Sequence, residues 1–180
     1  MKLSTKTIGN SLIAFSALGF LLLSLPFILP RLPQQTKPIG NAYAISIPKI
    51  NATSPIVVGV DPWNPTEYRN ALHLGVAQAK GTALPGQKGM IYLFAHSSGS
   101  PWEILRTNLP FLRLGELTKG DMVMLFSHGK EYPYVVASKK IVSPTDVSYL
   151  AKNSNNELIL QTCWPPGTDW KRLLVFAKPS

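Results

Sequence analysis

The chain is poor in cysteine, in acid and in histidine. One cysteine in 180 residues excludes an intramolecular disulfide framework and any multi-cysteine zinc site. Three histidines and nine acids leave little from which to build a metal centre, so neither metal nor cofactor is expected. Charged residues are only 15%, and they are unbalanced: 18 Lys+Arg against 9 Asp+Glu, a formal +9. There is no internal repeat and no low-complexity tract. Apolar residues, by contrast, are plentiful at 45%, with 9% aromatic, which supports a packed core and excludes wholesale disorder. The length suits one domain with a short appendage.

The apolar content is concentrated near the N-terminus. Leu12 to Leu29 reads LIAFSALGFLLLSLPFIL, 18 residues without a charge, and extending back to Ile8 gives 22. At about 1.5 Å per helical residue such a run crosses a hydrocarbon core of about 30 Å. The expected layout is therefore a cytoplasmic N-terminus (1–7), a transmembrane signal anchor (8–30), a Pro-rich linker (31–41) and an extracellular domain (42–180). A cleaved signal peptide is the competing reading, with Ala42-Tyr43-Ala44 as its small-x-small site. That site lies far beyond Leu29, and the run exceeds an ordinary signal core, so the uncleaved anchor is preferred. The run is apolar on all faces, unlike a core helix.

Beyond residue 31 lie 15 of the 18 basic residues and all nine acids. The excess suits anionic lipid or cell-wall polymer. Nucleic acid is not an expected partner. Only Lys139-Lys140 and Lys171-Arg172 are adjacent, and no aromatic-basic stripe is present.

The domain reads as short apolar strands separated by turn chemistry. The expected strands are Ala44–Ile50, Ile56–Val60, Gly89–Ala95, Met122–Phe126, Tyr132–Ala137, Lys140–Val142, Glu157–Thr162 and Leu173–Ala177. Ser127-His128-Gly129-Lys130 is a hairpin signal. Helix is limited to Glu67–Leu74, Glu103–Leu109 with a cap at Ser100, and Asp146–Lys152. Many short strands among 16 prolines and 13 glycines argue for a closed or nearly closed β-barrel.

Three residues stand out. Cys163 ends an apolar strand that Pro165-Pro166-Gly167 stops. It reads either as a small buried hydrophobe or as a reactive thiol. An unpaired thiol outside the cytoplasm needs a reason to be there. His96 ends the strand before a Ser-Ser-Gly-Ser loop. It reads as a loop-edge histidine bonded to backbone, or as a base that takes the thiol proton and returns it to a leaving amine. Arg172 opens the strand after the Cys163 loop. It reads as a solvated cation or, if the two strands are neighbours, as a group over the thiol that lowers its pKa and binds an oxyanion. Lys171 points to the opposite face. His128 is expected in solvent at the hairpin turn, and His73 at a core edge or on the surface.

These segments resemble the sortases, cysteine transpeptidases of cell surfaces. Leu158-Ile-Leu-Gln-Thr-Cys163-Trp-Pro-Pro-Gly-Thr-Asp-Trp-Lys-Arg172-Leu-Leu-Val-Phe-Ala177 is similar to the family's Thr-Leu-x-Thr-Cys strand, loop and Arg-initiated last strand. Gly81–Gly89 followed by a strand ending in His96, Ile47-Pro48-Lys49-Ile50, Lys119-Gly120-Asp121 and Val142–Asp146 also match in order. Ile159 departs from the pattern at the first Thr, and Ser97-Ser98 follow the histidine. Asp61-Pro62-Trp63 has the composition of a pilin-sortase lid but lies after the first strand, so it reads as a turn. Calcium-binding acids are not evident.

The resemblance implies an eight-stranded sortase-like closed β-barrel with short helices, preceded by one transmembrane helix. It implies Cys163 as nucleophile, His96 as acid–base and Arg172 as oxyanion or substrate ligand. The implied substrates are surface proteins with a C-terminal LPxTG-like signal and an amine from a peptidoglycan precursor or a pilin lysine. Thr162 is expected to be structural. A hydrolytic peptidase of the same fold, a tethered non-catalytic β-barrel binding module and a charge-driven polymer binder are the alternatives.

Overall fold

The computed structural model describes residues 11, 13–21, 42–97, 109–151 and 156–180. The chain divides into two compact units, Met1–Gln35 and Thr36–Ser180. In the first, the described residues are helical and mostly exposed. Among the described residues no helix is long and apolar enough to cross a membrane. Most of the expected anchor (8–30), the linker up to residue 41, and the expected helix Glu103–Leu109 with its Ser100 cap, Leu109 apart, lie outside the described residues.

The second unit is an eight-stranded closed barrel. Its strands are β1 (Ala44–Ile47), β2 (Ala52–Val60), β3 (Val76–Ala79), β4 (Ile91–Phe94), β5 (Met122–Ser127), β6 (Lys130–Val142), β7 (Leu158–Trp164) and β8 (Lys171–Pro179). Around the barrel the order is β1-β2-β3-β4-β7-β8-β6-β5. The pairs β2–β3 and β4–β7 are parallel. The β4–β7 pair matters most for the site, because the two chains leave the barrel side by side at the same pole.

The helix α1 (Pro65–Leu74) links β2 to β3. Asn64 caps it, its side chain accepting from the Thr66 and Glu67 amides, and Pro65 supplies a first turn that needs no N–H. Gly75 ends it because a Cβ there would lie 2.5 Å from the Pro55 carbonyl oxygen of β2. Closure removes all sheet edges, and alternate side chains fill the interior. Leu93, Leu125, Leu158, Leu160, Leu173 and Val175 are buried there.

Counting strands from the sequence also reaches eight, but through two errors that cancel. Tyr132–Ala137 and Lys140–Val142 are one strand, β6, whose first half pairs with β5 and whose second half pairs with β8. The polar pair Ser138-Lys139 reads as a break but is a solvated part of a continuous ladder, bulged at Ala137. Conversely, β3 lacks a strand signature. Val76-Ala77-Gln78-Ala79 is weakly apolar, yet all four residues are buried between β2 and β4. The Gln78 Nε2 donates to the Ala83 carbonyl at 2.8 Å, while its buried Oε1 has no hydrogen-bond partner among the described residues.

The first expected strand, Ala44–Ile50, stops at Ile47. Pro48 turns the chain into a 3-10 helix that ends at Asn51 in the left-handed region, with φ 51. The expected helix Asp146–Lys152 is instead a 3-10 turn over Ser148–Ala151, because the Asp146 carboxylate accepts from the Ser148 amide and hydroxyl and opens a tight turn. The hairpin holds as read: Ser127 pairs with Lys130, and His128 and Gly129 both have positive φ.

Candidate active site at the end of the parallel pair

The register of three strands brings the candidate residues to one place. Phe94 pairs with Gln161 in the parallel β4–β7 ladder. Two residues further on each chain stand His96 and Cys163, level with one another and on the face shared by Phe94 and Gln161. Across the antiparallel β7–β8 pair, Cys163 lies opposite Arg172. Directly opposed residues share a face, so all three side chains leave the barrel wall on the same side.

Hydrogen bonds extend the alignment beyond the last strand pair. The Ala95 amide donates to the Gln161 carbonyl at 3.2 Å. The Thr162 hydroxyl donates to the Ala95 carbonyl at 2.9 Å, and the Ser97 hydroxyl to the Cys163 carbonyl at 2.7 Å. His96 thus sits between two residues tied to β7. Thr162 is buried, on the opposite face from Cys163, and acts by holding the chain before His96.

Arg172 is oriented by the loop before it. Its Nη1 donates to the Asp169 carbonyl at 2.9 Å and to the Lys171 carbonyl at 3.1 Å. These are its hydrogen bonds among the described residues, so Nε and Nη2 remain for an oxyanion. The Trp164–Pro165 peptide is cis. The Trp164 ring packs on Gly115, where a Cβ would lie 2.5 Å from it. Trp164, Pro165, Trp170, Lys171 and Ile141 line a small, mainly apolar cleft of about 210 Å³.

Burial pushes the Cys163 thiol up, the Arg172 charge pulls it partly back, and Asp169 raises it again. Burial thus disfavours the thiolate that the Arg172 charge favours. The ring of Tyr68 from α1 stacks on Phe94 with centroids 5.4 Å apart and meets His96 edge-on at 6.3 Å. Burial raises the Tyr68 hydroxyl, the Cys163 charge raises it further and Arg172 opposes them.

A sortase-domain family model matches residues 45–180, the barrel from the second residue of β1 onward. The chain belongs to the sortase family. The sortase D of Bacillus subtilis is 35% identical over 144 residues, 77% of this chain and 64% of that protein, so the match spans less than two thirds of the relative's length. Among solved structures, sortase C-1 from Actinomyces oris is 30% identical with a TM-score of 0.64, covering 79% of this chain and 76% of that one. The lid mutant of sortase A from Corynebacterium diphtheriae is 27% identical with a TM-score of 0.64, covering 91% and 78%.

The other sequence candidates fall elsewhere in this sortase. His73 is exposed on α1. His128 is exposed at the hairpin turn, its Nδ1 paired with the Ser127 hydroxyl at 2.9 Å. Asp61-Pro62-Trp63 is a turn in which the Asp61 carboxylate accepts from the Trp63 amide at 2.9 Å. Lys171 is exposed opposite Trp164. Among the described residues no cluster of three His, Cys, Asp or Glu side chains is arranged to hold a metal.

Sequence reasoning missed the aromatic floor beside the site. Tyr92 and Phe94 project from β4 on the His96 face, and Tyr149 from the 3-10 turn stacks on Tyr92 at 5.9 Å. The hydroxyls of Tyr92 and Tyr149 both donate to the Gln161 side-chain carbonyl, the latter at 2.8 Å. Period-two reading of Tyr92-Leu93-Phe94-Ala95-His96 was a usable signal for the first two rings. Tyr149 arrives from a distant segment and leaves no local signal.

Proposed function

We propose that this sortase is a membrane-anchored cysteine transpeptidase that attaches surface proteins to an amine acceptor. The supporting observation is the register that sets Cys163 opposite Arg172 and level with His96. His96 takes the Cys163 proton, and Sγ attacks the carbonyl carbon at the Thr–Gly bond of an LPxTG-like signal. Arg172 donates to the oxyanion. The C–N bond breaks, His96 returns the proton to the departing amine, and a thioester remains. A second amine, from a peptidoglycan precursor or a pilin lysine, attacks the thioester and forms the new amide, releasing the thiol.

In this reading residues 8–30 anchor the chain with residues 1–7 in the cytoplasm, 31–41 act as a linker, and 42–180 work at the cell surface. The apolar side chains exposed along the described helical residues support it, Phe15 at 74% and Phe20 at 76% among them. Lipid is the natural cover for such a surface.

The test uses the full chain in detergent micelles with LPxTG-like peptides, with and without triglycine, beside Cys163→Ala. Mass spectrometry is expected to show cleavage after Thr and transfer to glycine, both absent in Cys163→Ala. Cleavage without transfer would assign a hydrolase. No cleavage, with a thiol that alkylates only after denaturation, would overturn the reading in favour of a binding module.

A further inference from the structure

The Gln161 side chain lies in the middle of the candidate site, on the Cys163 face, two residues upstream on β7, a separation of about 7 Å along the strand. A carboxamide has one acceptor oxygen with two lone pairs and an NH2 with two donors. Here the acceptor is fully used: the Tyr92 and Tyr149 hydroxyls each donate to Oε1. Those two rings are stacked, and Tyr92 is buried. The two phenol oxygens, 3.3 Å from each other, thus both face the Oε1 end of the amide. Nε2 has no hydrogen bond among the described residues, and it is not one of the buried unpaired polar atoms. Gln161 itself is half-buried. The amide is thus held by its oxygen with its two N–H donors directed to accessible space, over an aromatic floor, next to the candidate nucleophile. An apolar side chain in this place would have made the floor uniformly greasy.

We propose that Gln161 is a specificity-determining residue of this sortase, its fixed NH2 donating to an oxygen acceptor on the substrate residue just before the cleaved Thr. This rests on the transpeptidase reading above. The chemistry selects peptides that carry a carboxylate or carboxamide oxygen at the variable position of the LPxTG-like signal and disfavours Lys there, since an ammonium meets an N–H donor with nothing to accept it. Tyr92 and Tyr149 are positioning residues that act through Gln161. Gln161→Glu keeps the shape and both phenol bonds but replaces the N–H donors with a second acceptor. It therefore reverses the sign of the recognition while leaving the floor in place.

The experiment measures peptide binding and cleavage separately. Binding is read by fluorescence anisotropy on full-length Cys163→Ala in detergent, using labelled LPETG, LPQTG, LPATG and LPKTG peptides. Glu and Gln peptides are expected to bind about tenfold more tightly than the Lys peptide. In Gln161→Glu on the same background the order is expected to invert, with Lys favoured over Glu. Tyr149→Phe releases one of the two phenol bonds and is expected to shrink the Gln-to-Lys ratio about threefold without inverting it. A merely structural role would weaken all four peptides together and leave their ratios unchanged. That result, or absence of binding by any peptide, overturns the proposal. Ordered binding without turnover by the parent chain would sink the transpeptidase reading while leaving the recognition intact.

Discussion

The two faces of β7 differ by one residue of offset and by everything else. Leu158, Leu160 and Thr162 point inward, fully buried, opposite Ala177, Val175 and Leu173 of β8. Ile159, Gln161 and Cys163 point outward, opposite Phe176, Leu174 and Arg172. The inner face contributes dispersion and desolvation, at about 1.5–3 kcal/mol for each large apolar side chain. The outer face begins as core, at Ile159, and reaches the candidate nucleophile Cys163 within two further steps. Because the strand period is two, the same seven residues support the barrel and present the thiol, and a slip of one residue would exchange the roles. On the proposed mechanism stability and activity are separable by face, with Thr162 as the one inner residue that reaches the candidate site.

The sharpest way to break that separation is at the outer residues. Cys163→Ala is expected to abolish transpeptidation, a loss of at least about a thousandfold, with a melting curve near that of the parent. Arg172→Ala should lower turnover by about 10²–10³-fold through the lost oxyanion donor, again with the fold intact. Steady-state kinetics beside thermal melts check both, and a collapsed melting transition in either variant would show that the faces are not independent.

On the inner face, Leu160→Ala should cost about 2–5 kcal/mol of stability by urea unfolding, with turnover per folded molecule preserved. Thr162→Val should cross the divide. It leaves the buried Ala95 carbonyl without its donor, costing about 1–3 kcal/mol, and it loosens the chain before His96, so turnover should fall along with stability.

The smallest effect sharpens the comparison by pH. Burial raises the hydroxyl pKa of Tyr43, Tyr68, Tyr92, Tyr134 and Tyr149 above the ordinary 10.0. The unfolded chain then loses protons first. The stability these groups supply is complete below pH about 10 and is lost as pH rises further, towards their folded values. Melting temperature should decline from pH 10 upward, and Tyr92→Phe should blunt the decline. The raised Cys163 thiol should likewise keep gaining alkylation rate beyond pH 9.0, and Arg172→Gln should move that rise to still higher pH.

Much of this was legible beforehand. The apolar runs around Leu93, Leu125 and Leu160 announced strands, and the helix expected over Glu67–Leu74 is there, starting two residues earlier at Pro65. The thiol before a Pro-Pro-Gly turn, the histidine at a strand end and the arginine nine positions on were visible as candidates. Resemblance to the sortases ordered them, and the family match covers the same span. The failures were physical. Pro48 ended a strand that alternation alone would have continued, and β3 is a strand only because its neighbours bury it. Gln161 was not singled out within its apolar strand, since its partners Tyr92 and Tyr149 lie 69 and 12 residues away.

What the sequence determined by itself was local: the periodicities, the turn residues, the charge imbalance and the few side chains able to do chemistry. Those follow from steric and solvation preferences that act over a handful of residues. Which of these side chains meet was decided only by the tertiary structure. The parallel β4–β7 register and the antiparallel β7–β8 register each depend on long-range pairing, which no local propensity encodes. Closing the barrel selects one shear among many, and that choice is what lines His96, Cys163 and Arg172 up along one rim.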